Sequence, residues 1–321
     1  MRIVSKRPGL HEWRGELSAK LEGPFREALR SGDLSPLRPP GGVADDAMKL
    51  LVKDARGRPV AVALCSPPFE PEAVATSLHR AEQARRALGS DLGVHVVSPL
   101  REGRFAGLSY GVLPFYQSLN ASRILRKLQR MALAPRLFGW LREAARATMS
   151  EPAPGTLDRE VVAGLELLAK TEAMPSRVRD AAETALKRLR SGAWNPRRVL
   201  MHGDLWLGNI MLATSGAPRS PWGAWRDRFV VIDWGTSRVD GLPFDDLIRI
   251  GHSLGVSSRR LRAEIVAHAR LLGCEVVDAR SYLAASLGVL GFSLNQFPFE
   301  NYVSLARYTM IRMDEALAAG D

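Results

Sequence analysis

Cysteine is nearly missing. Cys65 and Cys274 are the only two in 321 residues, too few for a disulfide scaffold or a cysteine-based zinc site. No apolar run reaches the roughly eighteen residues of a membrane-spanning helix. The opening Met1-Arg-Ile-Val-Ser-Lys-Arg-Pro-Gly lacks the apolar core of a signal peptide. Repeats, low-complexity tracts, zinc-finger spacing and aromatic nucleic-acid-binding runs are missing too. These absences point to a cytoplasmic protein with no specific nucleic-acid partner.

What is present is a basic chain of ordinary hydrophobicity. The net charge is +11, with 46% hydrophobic and 25% charged residues. Such charge attracts polyanions, although the excess of Arg over Lys fits a coding bias equally well. The length is enough for two lobes.

Residues 1–45 are poorly periodic, with a short helix expected over Glu16–Leu29 and a break at Pro39-Pro40-Gly41-Gly42. Ala47–Lys53 and Pro59–Leu64 read as a hairpin, Glu70–Leu88 as a helix, and Val94–Pro99 with Phe105–Leu113 as a second strand pair turning at Arg101-Glu-Gly-Arg. A linker follows at residues 114–120. Helices are expected over 121–149, 157–173 and 176–191, and again from Asp245 to the end. Short strands near 198–201, 209–213 and 228–232 interrupt them.

Those strands frame the chemistry. Asp204 follows an apolar run in His202-Gly203-Asp204, where a carboxylate can orient or deprotonate a hydroxyl. Asn209 lies five residues on, and Asp233 ends the run Phe229-Val-Val-Ile-Asp-Trp-Gly235. Carboxylate and amide oxygens suit Mg2+ rather than zinc. His202 reads as a buried brace of the loop.

His-Gly-Asp-Leu-x-x-Gly-Asn followed by Ile-Asp-Trp-Gly resembles the aminoglycoside phosphotransferase and choline kinase-like family. The resemblance implies an α+β, two-lobed protein kinase-like fold. A small antiparallel-sheet nucleotide-binding lobe would span 1–115, and a mainly helical catalytic and substrate lobe 116–321. It also implies an ATP- and Mg2+-dependent transfer to a hydroxyl of a small molecule. Asp204 would be the catalytic base, with Asn209 and Asp233 as metal ligands. Gly241-Leu-Pro-Phe-Asp-Asp246-Leu resembles another motif of the family, in which Asp246 would brace the catalytic loop. Trp206, in its Asp-Leu-Trp-x-Gly-Asn setting, is similar to fructosamine kinases and favours a sugar-like or amino-sugar-like acceptor.

The resemblance also implies a third-strand lysine paired with a helix glutamate, yet Pro59–Ser66 contains none. By pattern Ala63 takes its place. Lys49, on the preceding strand, is the candidate substitute, with Lys53 beside it; the alternative is a solvated strand charge. Glu82 is the candidate partner, Glu72 the alternative. Gly41-Gly42 is a weak phosphate loop. Leu113 to Phe115 would form the hinge that receives adenine.

Asn295, Glu300 and Tyr302 lie in a polar-aromatic cluster that reads either as suited to a hydroxylated acceptor or as an ordinary helix connection with aromatic packing. The helix over 121–149 interleaves Arg123, Arg126, Lys127, Arg130, Arg142 and Arg146 with apolar residues. It reads as a core helix with a basic face or as a contact with an anionic membrane surface. Two other readings stay open on the sequence: a pseudokinase acting as a nucleotide- or partner-binding module, and a membrane-associated kinase of a lipid-linked or lipopolysaccharide sugar.

Overall fold

Alternating burial builds the main sheet. β2 (Met48–Lys53) buries Leu50 and Val52, and β3 (Pro59–Cys65) buries Ala61, Ala63 and Cys65, the period of two of a half-buried strand. Asp54 shapes the hairpin between them. Its carboxylate accepts from the Arg58 and Arg56 N–H groups at 2.8 and 2.9 Å, and the Arg58 bond above all lowers its pKa. With β1 (Leu34–Pro36), β4 (Arg101–Phe105) and β5 (Leu108–Pro114), the strands form an antiparallel sheet ordered β1-β2-β3-β5-β4. The computed structural model describes residues 10–20, 34–37, 47–119, 121–151, 159–213, 228–294 and 297–320. Gly41-Gly42 and Asn295 lie outside them.

One hairpin differs from expectation. Arg101-Glu-Gly-Arg is itself strand β4, and the reversal falls on Ala106 and Gly107, at φ 50° and 79°, the positive pair a two-residue hairpin needs. β4 is an edge strand, where exposed charge is useful because it blocks further pairing; the same charges imitate a turn in sequence. Val94–Pro99 is not a strand of this sheet, though Val96 forms a lone parallel bridge with Val231.

The two sheet faces are covered by different helices. Directly opposed residues share a face. Ala63 lies opposite Leu50 and Val112 on the face buried with Trp13 of α1 (Leu10–Lys20). The Trp13 ring meets Phe105 and Tyr110 edge-on, each at 5.4 Å. The helix expected over Glu16–Leu29 coincides with α1 at Glu16–Lys20, and residues 21–29 lie outside the described residues. Lys49, Leu64 and Gly111 share the opposite face, against which α2 (Ala73–Gly93) packs. Leu78 and Val74 occupy the space a side chain at residue 111 would need. α2 kinks at Gly89, whose φ of 71° is non-helical.

The chain divides into two compact units. One comprises residues up to Gln83 with Val94–Leu119 and Met211–Gly235; the other comprises Ala84–Gly93, Asn120–Ile210 and Thr236–Asp321. The first unit therefore includes most of β7 (Ile210–Ala213) and all of β8 (Arg228–Val231) beside the main sheet.

In the second unit α3 (Arg123–Thr148) buries Leu133, Leu137, Phe138 and Trp140. Arg142 bonds the buried Glu264 of α7 (Ser258–Leu272), which also pairs with Arg260 at 2.7 Å. The C-terminal half of α3 is thus a core helix, whereas Ile124 and Met131 in its first half are 74% and 61% exposed. α4 (Arg159–Lys170) and α8 (Asp278–Gly291) cross at Gly164 and Gly288, where a Cβ on either would strike the other's backbone. α5 (Ser176–Arg190), α6 (Asp245–Leu254), α9 (Phe299–Ala318) and a two-stranded sheet of β6 (Val199–Met201) and β9 (Arg238–Gly241) complete it. Among the described residues no helix is long and apolar enough to cross a membrane.

Both cysteines are free. Cys65 is buried, and burial pushes the Cys274 thiol up to about 12. Since the thiolate is the reactive form, the native protein should leave DTNB unreacted near pH 8, and denaturant should release both thiols. Rapid reaction of the native protein would contradict this.

Candidate active site

The loop after β6 is tied down by a set of hydrogen bonds along its length. Gly203 turns it at φ 79°, and a Cβ there would lie 2.9 Å from the Thr236 carbonyl oxygen, so only glycine fits. Asp246, in the first turn of α6, accepts the His202 N–H at 2.6 Å and the Gly203 N–H at 3.0 Å. The buried His202 ring accepts the Asp204 N–H on Nδ1 at 3.2 Å, which leaves the proton of the neutral ring on Nε2. Thr236 Oγ1 donates to the His202 carbonyl at 3.0 Å. His202 is spent on the loop's own geometry.

The Asp204 side chain is 38% exposed and held from two sides. Asn209 Nδ2 donates to the Asp204 carbonyl at 2.8 Å and to Oδ2 at 3.1 Å. Because both partners are acceptors, the amide orientation is forced and Asn209 Oδ1 points elsewhere. From α6, Arg249 Nη2 donates to Asp204 Oδ1, and Nη1 to the Gly203 carbonyl at 2.8 Å. Leu207 N–H donates to Ser253 Oγ at 3.0 Å. Trp206 is half exposed, its ring lying where a side chain on Gly208 would go.

Behind the loop, burial pushes Asp245 up to about 7 and Asp246 up to about 6. Arg249 opposes the rise at Asp245, and the His202 N–H leads the opposition at Asp246. For Asp245 the folded pKa lies above the unfolded one. Its contribution to stability is therefore full below about pH 4 and lost as pH rises through about 7. Asp245→Asn should accordingly raise Tm near pH 8 and lose that advantage near pH 5. A difference in Tm independent of pH would contradict the buried charge.

The first unit holds Asp233. Val231 N–H donates to the His95 carbonyl at 2.7 Å, and the His95 ring stacks on Phe229 at 4.1 Å. Beyond β8 the chain turns at Asp233, whose φ of 65° is a left-handed conformation that Asp tolerates better than most residues. Trp234 is buried, with Nε1 donating to the Val231 carbonyl at 2.9 Å. The Gly235 carbonyl accepts from Arg80 of α2. The Asp233 carboxylate is left exposed.

Lys49 shares the α2-covered face of the sheet, and Glu82 follows Leu78 by one helical turn on α2. Ala63 faces the opposite way, towards Trp13, so it does not stand in for a lysine on the α2 side; Val62 and Leu64 are the β3 residues there. At the hinge, Leu113 lies opposite Val62, and the Phe115 N–H is already donated to the Val60 carbonyl at 3.1 Å. That amide is not open to adenine.

Of the expected acceptor residues, Glu300 is exposed in the first turn of α9. Tyr302 is 2% exposed with its hydroxyl on the Leu287 carbonyl at 2.7 Å; it packs α9 on α8 and presents nothing to a ligand. Sequence reasoning missed Arg249, and Tyr308 with it. Asp245 and Arg249 are spaced as an ordinary surface i,i+4 pair, so nothing marks the arginine as reaching Asp204. The Tyr308 ring meets His252 at a tilt, with the centroids 5.0 Å apart. Burial raises its pKa, against Arg249, while Asp245 and Asp204 raise it further. Among the described residues no group of three or more His, Cys, Asp or Glu side chains is placed to hold a metal ion.

A model of the phosphotransferase enzyme family, APH, matches residues 36–277. The chain is similar to the apo form of a thermostable mutant of aminoglycoside phosphotransferase APH(4)-Ia, at 16% identity over 90% of this chain and 95% of that one, with a TM-score of 0.51. It is similar also to a choline/ethanolamine kinase family protein from Mesorhizobium loti, at 13% identity over 96% and 94%, with a TM-score of 0.52. At such identities these two show the fold, which is protein kinase-like, with a small antiparallel sheet and a largely helical remainder. Comparison with curated protein sequences found no match. With most of its length matched by the family model, the chain belongs to the phosphotransferase enzyme family and is a small-molecule kinase.

Proposed function

We propose that the protein transfers the γ-phosphoryl group of ATP to a hydroxyl of a sugar-like or amino-sugar-like small molecule. The observation that carries this is the forced amide of Asn209. Its nitrogen fixes Asp204, and its oxygen is turned away from that contact. Asp204 orients the acceptor hydroxyl and takes its proton. Asn209 Oδ1 and the exposed Asp233 carboxylate are hard oxygen donors of the kind Mg2+ takes beside phosphate oxygens, so the residues present fit that ion. When bound, Mg2+ would neutralise charge on the transferring phosphoryl group.

Lys49 binds the nucleotide phosphates, and Glu82 holds its ammonium. Support comes from the shared sheet face and from the absence of lysine in β3. At the hinge, backbone groups of the Leu113–Phe115 stretch other than the Phe115 N–H receive adenine. Glu300 is the candidate acceptor contact. Lys49→Ala should weaken Mg-ATP binding about tenfold or more, the worth of a charge-assisted hydrogen bond. Unchanged affinity by calorimetry would remove Lys49 from the site.

The function is tested by ADP release across a panel of sugars, amino sugars and amino alcohols. Acceptor-dependent turnover is expected. Nucleotide binding with no transfer to any acceptor would contradict it.

A further inference from the structure

We infer that Arg249 is a positioning residue for Asp204, holding the carboxylate in place through the loop that carries it. The inference rests on the reading of Asp204 as the group that orients the acceptor hydroxyl. Arg249 is 12% exposed and reaches from α6 to two adjacent points of the loop, the main chain at Gly203 and the side chain at Asp204. Gripping both fixes the torsion between them. Asn209 holds the other carboxylate oxygen, so Asp204 is clamped from opposite sides. A carboxylate has about four lone-pair positions, and two spent on protein donors leave room for a substrate hydroxyl.

A simpler role for Arg249 is to neutralise the buried Asp245. The geometry favours the loop. Asp245 lies 3.9 Å from Nη1, beyond hydrogen-bond reach, whereas the hydrogen bonds of the guanidinium go to Gly203 and Asp204. Fixing the carboxylate in this way suits a loose phosphoryl-transfer transition state, in which placing the hydroxyl in line is much of the work.

The test is a double-mutant cycle read as kcat and KM. Arg249→Ala should lower kcat on the order of 100-fold, the cost of a misplaced reacting group. KM for ATP should move by less than about threefold, because nucleotide binding does not use this contact. In an Asp204→Ala background the same change should cost nothing further. Added guanidinium should restore part of the activity to Arg249→Ala and none to Asp204→Ala, and Arg249→Lys should retain more than Ala. Because Arg249→Ala leaves Asp245 without its nearest cation, Asp245→Asn/Arg249→Ala is measured alongside, with folding checked by melting; it should show the same loss. Wild-type kcat in either folded variant would overturn the proposal, as would equal losses with and without Asp204. If Asp204→Ala itself kept wild-type activity, the reading of Asp204 would fall first and the proposal with it. An inactive Asp204→Ala beside a fully active Arg249→Ala overturns the proposal alone.

Discussion

Asp204→Asn is expected to lower kcat by about 1000-fold, within the range that general-base removal costs, while leaving Mg-ATP affinity close to that of the wild type. Asn is nearly isosteric and keeps an oxygen to accept from Arg249, so the loop retains its course. What it loses is the proton acceptor. It also presents an amide nitrogen that is unable to accept the Asn209 Nδ2 donor, which now reaches Oδ2 at 3.1 Å. Intact binding with lost turnover separates a chemical role from a structural one. A variant that kept its kcat would show that Asp204 does no chemistry.

Asp246→Ala should produce the second large effect, on stability and activity together. Its two oxygens accept the His202 and Gly203 N–H groups, and the side chain sits in a buried first helical turn. Removing it leaves the buried His202 donor and the part-buried Gly203 donor without their acceptor. At about 1–3 kcal/mol for each unsatisfied group, the loss is a few kcal/mol, or roughly 10 °C in Tm for a chain of this size. Turnover should fall as well, because His202 and Gly203 set the direction in which Asp204 leaves β6. Asp246→Asn keeps one acceptor and should lie between alanine and wild type. An unchanged melting temperature in the alanine variant would contradict the bracing role.

What was legible in the sequence follows from what is local. The hairpin of β2 and β3 shows in period-two burial and in the turn chemistry of Asp54. The run of residues from His202 to Asn209 shows because loop, base and amide lie within one short segment. Elements set by distant partners were hidden. Nothing near Trp13 announces that it will cover a sheet face formed some forty residues later. The charged β4 looked like a turn because only its position at the sheet edge makes those charges suitable. Tyr302 looked available to a ligand until α8 supplied the Leu287 carbonyl that its hydroxyl needs. Arg249 was invisible for the same reason: its partners are 45 and 46 residues away along the chain.

We propose that this chain moves a phosphoryl group to a small-molecule hydroxyl, with Asp204 as the orienting base. Single-turnover transfer from γ-labelled ATP to an acceptor, in wild type and Asp204→Asn, tests it most directly. Label is expected on the acceptor with wild type, and nucleotide bound but label unmoved with the variant. Equal transfer by both proteins would contradict it.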